Sequence, residues 1–251
     1  MTLWIGPRLG PVERACLKSV LNQGHRLALY CYDEPDGVPD GIELRDAATI
    51  LPRDRITRHE TGSYALFADW FRYELQRLGA GTWVDCDVYL LAPLDGASPF
   101  LFGEEVPGRI NNGILRLPPD SPLLPPLLEL FEERRVPPWL PFRSRMTAKL
   151  RLWRSRRTGV ASMPWGSTGP GALTHLARRH DMGRFALPPE TFYPARWQDA
   201  LWITEPERTL DDVITPRTVA LHLWNERIKP VKDRPARPGS FLARLQHEGR
   251  R

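Results

Sequence analysis

Residues 81–91, Gly-Thr-Trp-Val-Asp-Cys-Asp-Val-Tyr-Leu-Leu, constrain the fold of this chain more than any other stretch. Trp83 and Val84, and then the run from Val88 to Leu91, have the aromatic and β-branched content of buried strands. Asp85 and Asp87 interrupt that content, so the segment reads as a strand that stops in an acidic turn and then resumes. In extended backbone, residues i and i+2 point to one face, with backbones about 7 Å apart. Two carboxylates placed that way repel unless a cation sits between them. A hard divalent cation with oxygen ligands is the natural occupant, and it can also hold a diphosphate. An Asp-X-Asp triplet alone describes a solvated turn equally well. The rest of the chain has to decide between the two.

Its 251 residues are enough for one full-sized core. No run of about 18 apolar residues exists to span a bilayer. The first residues, Met-Thr-Leu-Trp-Ile-Gly-Pro-Arg, lack the pattern of a secretory leader. Cys16, Cys31 and Cys86 are scattered and odd in number, which suggests reduced thiols and a cytoplasmic location. The net charge of +5 is unevenly spread. Nine basic residues and no acidic one lie between Arg134 and Arg157. Such a segment attracts phosphates or the anionic inner face of a membrane, or is simply a solvated basic surface. No basic-aromatic nucleic-acid module is present, so nucleic acid is not an expected partner.

In chain order, residues 2–6 read as a strand, 11–23 as a helix stopped at Gly24, 26–32 as a second strand, and Ile42 and Leu44 as a third. This strand-helix-strand opening predicts a parallel α/β sheet. The clearest helix is 63–78, with Ser63 as N-cap, Tyr64, Phe67, Phe71 and Leu75 on one face, and Gly79 at its end. Asp69 and Arg72 flank that apolar stripe three residues apart, and Tyr73 follows. They read either as a surface ion pair or as a charged pair at a cleft rim, suited to sugar hydroxyls. Strands are expected at 100–105 and 108–117, the second carrying Asn111 and Asn112 near its start. Residues 121–135 suggest an amphipathic helix and 136–165 an irregular, Pro-, Arg- and Trp-rich loop or lid. A Gly-rich turn feeds a helix that Thr168 or Gly169 can cap, with Pro170 suited to its first turn. Residues 185–193 suggest a short strand. His222, Trp224 and Asn225 sit where a last strand runs into a turn. The segment from Lys229 onward is basic, Pro-rich and expected to end in disorder, which divides the chain into a domain at 1–228 and a tail at 229–251.

Asp69-Trp-Phe-Arg72-Tyr73, then the Asp85-Cys86-Asp87 triplet, Asn111-Asn112-Gly113, Thr168-Gly169-Pro170 and His222-Leu223-Trp224 occur in that order. The order resembles the DXD-containing sugar-transferase family of the α1,4-galactosyltransferases and the yeast initiating α1,6-mannosyltransferase. More distantly, it is similar to the glucosylating domain of large clostridial toxins. The resemblance covers about residues 2–226 and implies a GT-A-like single α/β domain, with a mixed, mostly parallel sheet flanked by helices. It implies retaining transfer from a nucleotide-diphosphate sugar, foremost a UDP-sugar, with Mn²⁺ or Mg²⁺. The acceptor would be a glycan or lipid-linked species, as in surface polysaccharide biosynthesis. Carried over by position, Asp87 binds the metal directly and Asp85 touches the ribose, the sugar or a metal-bound water, which keeps both in the metal site, with His222 and Trp224 near the metal or diphosphate. Asp69, Arg72 and Tyr73 hold the donor sugar, Trp4 stacks near its base, and Asn112 lies beside the transferred sugar. Gly169 and Pro170 shape the acceptor side. The family's Ser-Trp pair after its C-terminal His is Trp-Asn-Glu here, which leaves those diphosphate contacts open.

Glycosyl transfer needs a cation to neutralise the departing diphosphate and oxygen atoms to stabilise the anomeric carbon. Glu104, Glu105 and Asn112 are candidate neighbours of that carbon. A same-face displacement would need no protein nucleophile. The same acidic turn would also serve a nucleotidyl- or phosphotransferase. A protein that binds polysaccharide or anions without turnover would need neither Asp85 nor Asp87.

Overall fold

Apolar runs separated by Gly- and Pro-containing turns fold here into strands with helices on both sides. The computed structural model describes residues 1–59, 61–132, 136–154, 163 and 166–251. Strand β1 (Thr2–Trp4), helix α1 (Pro11–Asn22) and strand β2 (Ala28–Cys31) form the expected crossover, and β3 (Glu43–Asp46) extends the sheet. These strands pair in parallel, with Thr2 opposite Leu29 and Ala28 opposite Glu43. Strand β4 (Trp83–Val84) meets the chain at Met1, just before β1. The Met1 nitrogen donates to the Thr82 carbonyl at 2.6 Å, and the Val84 amide donates to the Met1 carbonyl at 2.9 Å. Two bonds from one residue to both neighbours of Trp83 are the slanted pattern of a parallel pair.

The later pairings are antiparallel. Strand β7 (Arg109–Arg116) lies between β4 and β6 (Leu101–Val106), and β5 (Val88–Leu90) pairs with β8 (Ala220–His222). The architecture is the expected mixed α/β one, with parallel order concentrated around β1. Side chains alternate across the strands. Leu29, Val84 and Ile114 join α1 and α8 (Phe241–Arg250) in one core cluster. Tyr30, Trp83 and Leu115 join α2 (Ala65–Arg77), α3 (Leu124–Glu132) and α5 (Pro170–Arg179) in another. Apolar residues on both faces of the strands follow from this double cover.

Four local expectations are corrected. The helix expected from Ser63 begins at Ala65 with Tyr64 at its N-cap, and Ser63 Oγ accepts from the Ala65 amide. Residues 185–193 are not a strand. They follow a 3-10 turn at Gly183–Phe185 and contain α6 (Pro189–Phe192), with one parallel bridge between Gly103 and Leu187. Pro188 and Pro189 have no N–H to give to a ladder. The segment expected to be irregular contains α4 (Phe142–Arg154), while residues 155–162, 164 and 165 lie outside the described residues, as do Arg134 and Arg135. The C-terminal segment does not end in disorder: Ser240 caps α8 by accepting from the Ala243 amide, and Phe241, Leu242 and Leu245 enter the core. A short α7 (Asn225–Ile228) precedes it. Among the described residues, no helix is long and apolar enough to cross a membrane.

Candidate active site

The acidic turn falls where the chain leaves one sheet for another, since β4 pairs with β7 and β5 with β8. The Asp85 amide donates to the Gly113 carbonyl at 2.8 Å, and the Leu223 amide donates to the Asp87 carbonyl at 2.9 Å. Register on β8 sets His222 opposite Val88. The imidazole therefore arrives beside the two carboxylates, with Nε2 3.7 Å from Oδ2 of Asp85 and 3.7 Å from Oδ1 of Asp87. These separations are too long for hydrogen bonds. One ligand atom from each of the three residues lies within 4.8 Å of the others. Bonds of about 2.1 Å to a common ion would put ligand atoms about 3 to 4.2 Å apart. Two carboxylates and one imidazole could hold a divalent metal ion. Asp87 Oδ2 is oriented by the Asn225 amide, which donates to it at 2.7 Å.

Gly113 makes this approach feasible. A Cβ on it would stand 2.9 Å from His222 Cδ2, 3.1 Å from Nε2 and 3.2 Å from Asp85 Oδ2. Gly113→Ala should push the imidazole off its position and weaken metal binding by about tenfold or more, as displaced supports of metal ligands do. Mn²⁺ titration by calorimetry checks this. An unchanged affinity would mean that the ring is not held against β7.

The charges around the cluster act on one another. Burial pushes the Asp85 carboxyl up, but the Arg72 guanidinium and His222 outweigh it and hold the carboxyl below its ordinary value. Burial lowers the His222 value, but the facing Asp87 and Asp85 outweigh it and hold the imidazole above its ordinary value. His222 Nδ1 is buried and has no hydrogen-bond partner among the described residues. Cys86 stands apart from the cluster. Its Sγ lies 3.1 Å from Thr2 Oγ1, and burial pushes its thiol up to about 12, so it stays protonated.

Behind Asp85 lies a buried polar network. Arg72 reaches Asp85 Oδ1 at 3.1 Å and Asp69 Oδ1 at 3.5 Å, donates to the Asn112 carbonyl, and stacks over the Trp83 ring at 4.7 Å. Asp69 accepts from Thr168 Oγ1 at 2.7 Å and from Asn112 Nδ2 at 2.8 Å. Burial raises the Asp69 carboxyl in spite of Arg72, Thr168 and Asn112. A Cβ on Gly169 would come within 2.9 Å of both Asp69 oxygens, so helix α5 can start this close only with glycine at its N-cap.

A cavity of about 680 Å³ opens over the cluster. It brings Trp4, Asp69, Arg72, Asp85, Asp87 and Asn112 to one wall system, together with Pro170, His222 and Trp224. Tyr73 is not part of that wall. It lies fully buried behind Asn112, where its hydroxyl donates to the Thr168 carbonyl at 2.9 Å and accepts from Asn112. Gly169 acts from behind Asp69 in the same way. Glu105 reaches the cavity, held by Arg109 at 2.5 Å and by Asn111 Nδ2 at 2.6 Å. Trp224 has left-handed backbone, φ 59°, at the step from β8 to α7, and its Nε1 donates to the Ala195 carbonyl. Left-handed backbone at a bulky residue costs about 1–3 kcal/mol.

Sequence reasoning missed Trp197, Glu13 and Lys229 as cavity residues. It also missed the buried Lys232, which pairs with Glu13 and donates to Asn225 Oδ1 at 2.6 Å. None of them stands near the acidic turn in sequence, and no spacing marks them. Gly113 did carry a signal, because glycine inside a strand often marks close approach of another group.

No protein-family profile and no curated protein sequence matches the chain. Among solved structures, the chain is similar to one titled "PaToxG Glycosyltransferase", with a TM-score of 0.41 and 11% identity over 72% of this chain and 68% of that one. So loose a superposition carries no argument about activity, and the site's own chemistry has to supply it.

Proposed function

We propose that the chain is a metal-dependent glycosyltransferase that uses a nucleotide-diphosphate sugar, foremost a UDP-sugar, as donor. The observation that carries this reading is the convergence of Asp85, Asp87 and His222 on the floor of a cavity with aromatic and buried polar walls. Its volume of about 680 Å³ suits a ligand of nucleotide-sugar size. Mn²⁺ or Mg²⁺, when bound, supplies the Lewis acidity that neutralises a departing diphosphate. Asp85, Asp87 and His222 are the residues that would hold it. Trp4 and Trp197 offer ring faces to a base. Asp69 and the Asn112 amide oxygen offer acceptors to sugar hydroxyls, and Arg72 positions Asp85. Pro170, above Gly169, borders the acceptor side. The acceptor would be a glycan or lipid-linked species, and transfer would be retaining.

The deciding experiment incubates the protein with UDP-glucose, UDP-galactose, UDP-N-acetylglucosamine and GDP-mannose, with Mn²⁺ or EDTA. It assays released nucleoside diphosphate and, in parallel, donor binding by calorimetry. Metal-dependent release or binding with one donor supports the reading. The absence of both with every donor would sink it. A nucleotidyl- or phosphotransferase would instead leave nucleotide or phosphate on the acceptor.

Metal binding should also depend on pH with a definite sign. The ion needs a neutral imidazole, and in the metal-free protein His222 holds its proton to higher pH than the ordinary value of about 6.5. Protons should therefore compete from above that pH, and affinity should fall toward about tenfold per pH unit as pH drops further. His222→Gln should bind more weakly and lose that dependence. A Mn²⁺ titration that is flat between pH 8 and 6 would remove His222 from the ligand set.

A further inference from the structure

Helix α4 presents an apolar stripe to solvent. Phe142, Met146, Leu150 and Trp153 are 74%, 51%, 49% and 82% exposed. Their spacings of four, four and three residues put them on one face at about 100° per residue. Ala148, 2% exposed, lies on the opposite side and faces the protein. By the same spacing, Lys149 and Arg145 border one edge of the stripe and Arg143 the other. The helix carries five basic residues and no acidic one. Isolated exposed apolar residues such as Leu44 and Leu78 need no explanation, but four large ones in a row do.

We propose that α4 docks this protein onto an anionic lipid bilayer, lying in the plane of the interface. An apolar stripe with aromatic residues at both ends, edged by cations, is the chemistry of interfacial helices. Lys and Arg stems can run along the acyl boundary while their charged heads meet anionic headgroups. A second copy of the chain is a poorer occupant, because pairing two such stripes brings like-charged borders together. The helix is also fixed to the cavity rim. Trp139, three residues before it, donates its Nε1 to the Ser167 carbonyl at 2.9 Å, beside Gly166 and Pro170 of the cavity wall. Docking would therefore set the cavity rim at the bilayer surface, within reach of a lipid-linked acceptor. That consequence rests on the glycosyl-transfer reading, whereas the docking itself needs neither donor nor metal.

The test is co-sedimentation of the whole chain with vesicles of phosphatidylcholine, alone or mixed with phosphatidylglycerol, at low salt. Binding to the anionic vesicles should be at least about tenfold tighter than to the neutral ones. Phe142→Ser with Trp153→Ser should weaken it by about tenfold or more. Arg143→Glu with Lys149→Glu should remove the anionic preference. These exposed positions should leave the thermal midpoint unchanged, which separates lost docking from lost folding. Equal or absent binding to both vesicles would overturn the proposal, as would anionic binding that the serine variant leaves intact. A lipid-free dimer dissolved by the serine variant would assign the stripe to self-association and overturn it too.

Discussion

Asp87→Asn is expected to lower metal-dependent donor hydrolysis by more than about 100-fold, beyond what loss of a group merely supporting a metal ligand costs. The variant keeps the volume of the side chain and an oxygen that can accept from the Asn225 amide, now 2.7 Å from Oδ2. What it removes is a charge and an anionic ligand. The fold should suffer little, because Asp87 has no guanidinium beside it among the described residues, and the attraction to His222 that is lost is offset by relief of repulsion from Asp85. Asp87→Ala is less discriminating, since it also leaves the Asn225 amide without its acceptor. Mn²⁺ titration, donor hydrolysis and a thermal midpoint together decide. Hydrolysis within tenfold of the parent, with an unchanged metal titration, would remove Asp87 from the site.

What was legible in the sequence was local. The acidic turn between strand-forming residues, and the helix carrying Asp69 and Arg72, follow from periodicity within about a dozen residues. Three residues of spacing showed that Asp69 and Arg72 are neighbours, but not that Arg72 also serves Asp85 and the Asn112 carbonyl. That needed β7 to lie beside β4, which no local pattern encodes. His222 enters the cluster only through the β5–β8 register, so without the family resemblance it is a lone histidine after an apolar run. Helix α4 was hidden because its apolar residues face outward and its composition is that of a solvated loop. Helix α8 carries a legible start. Ser240 is an N-cap residue followed by an amphipathic run, but the prolines and charges before it outweighed that signal.

Arg72→Met should cost about 3–5 kcal/mol of stability at neutral pH, because it leaves the buried Asp69 and the partly buried Asp85 without their cation. Arg72 is 4% exposed, with Asp85 at 3.1 Å and Asp69 at 3.5 Å. The pH dependence separates this cause from lost packing. In the parent, the Asp85 carboxyl is held below its unfolded value, so its stabilisation is present above about pH 3.9 and is lost as pH falls through the folded value. Asp69 is shifted upward, so its contribution has the opposite sign and wanes as pH rises through the raised value. Removing Arg72 moves both carboxyls upward. The folded variant then binds more protons than the folded parent, and its stability falls more steeply with rising pH. The deficit should therefore be largest near pH 7 and shrink toward pH 4. Denaturant unfolding of both proteins across that range measures it. A deficit of the same size at every pH would assign the loss to the stacking of the Arg72 guanidinium over Trp83, and the charge argument would fail.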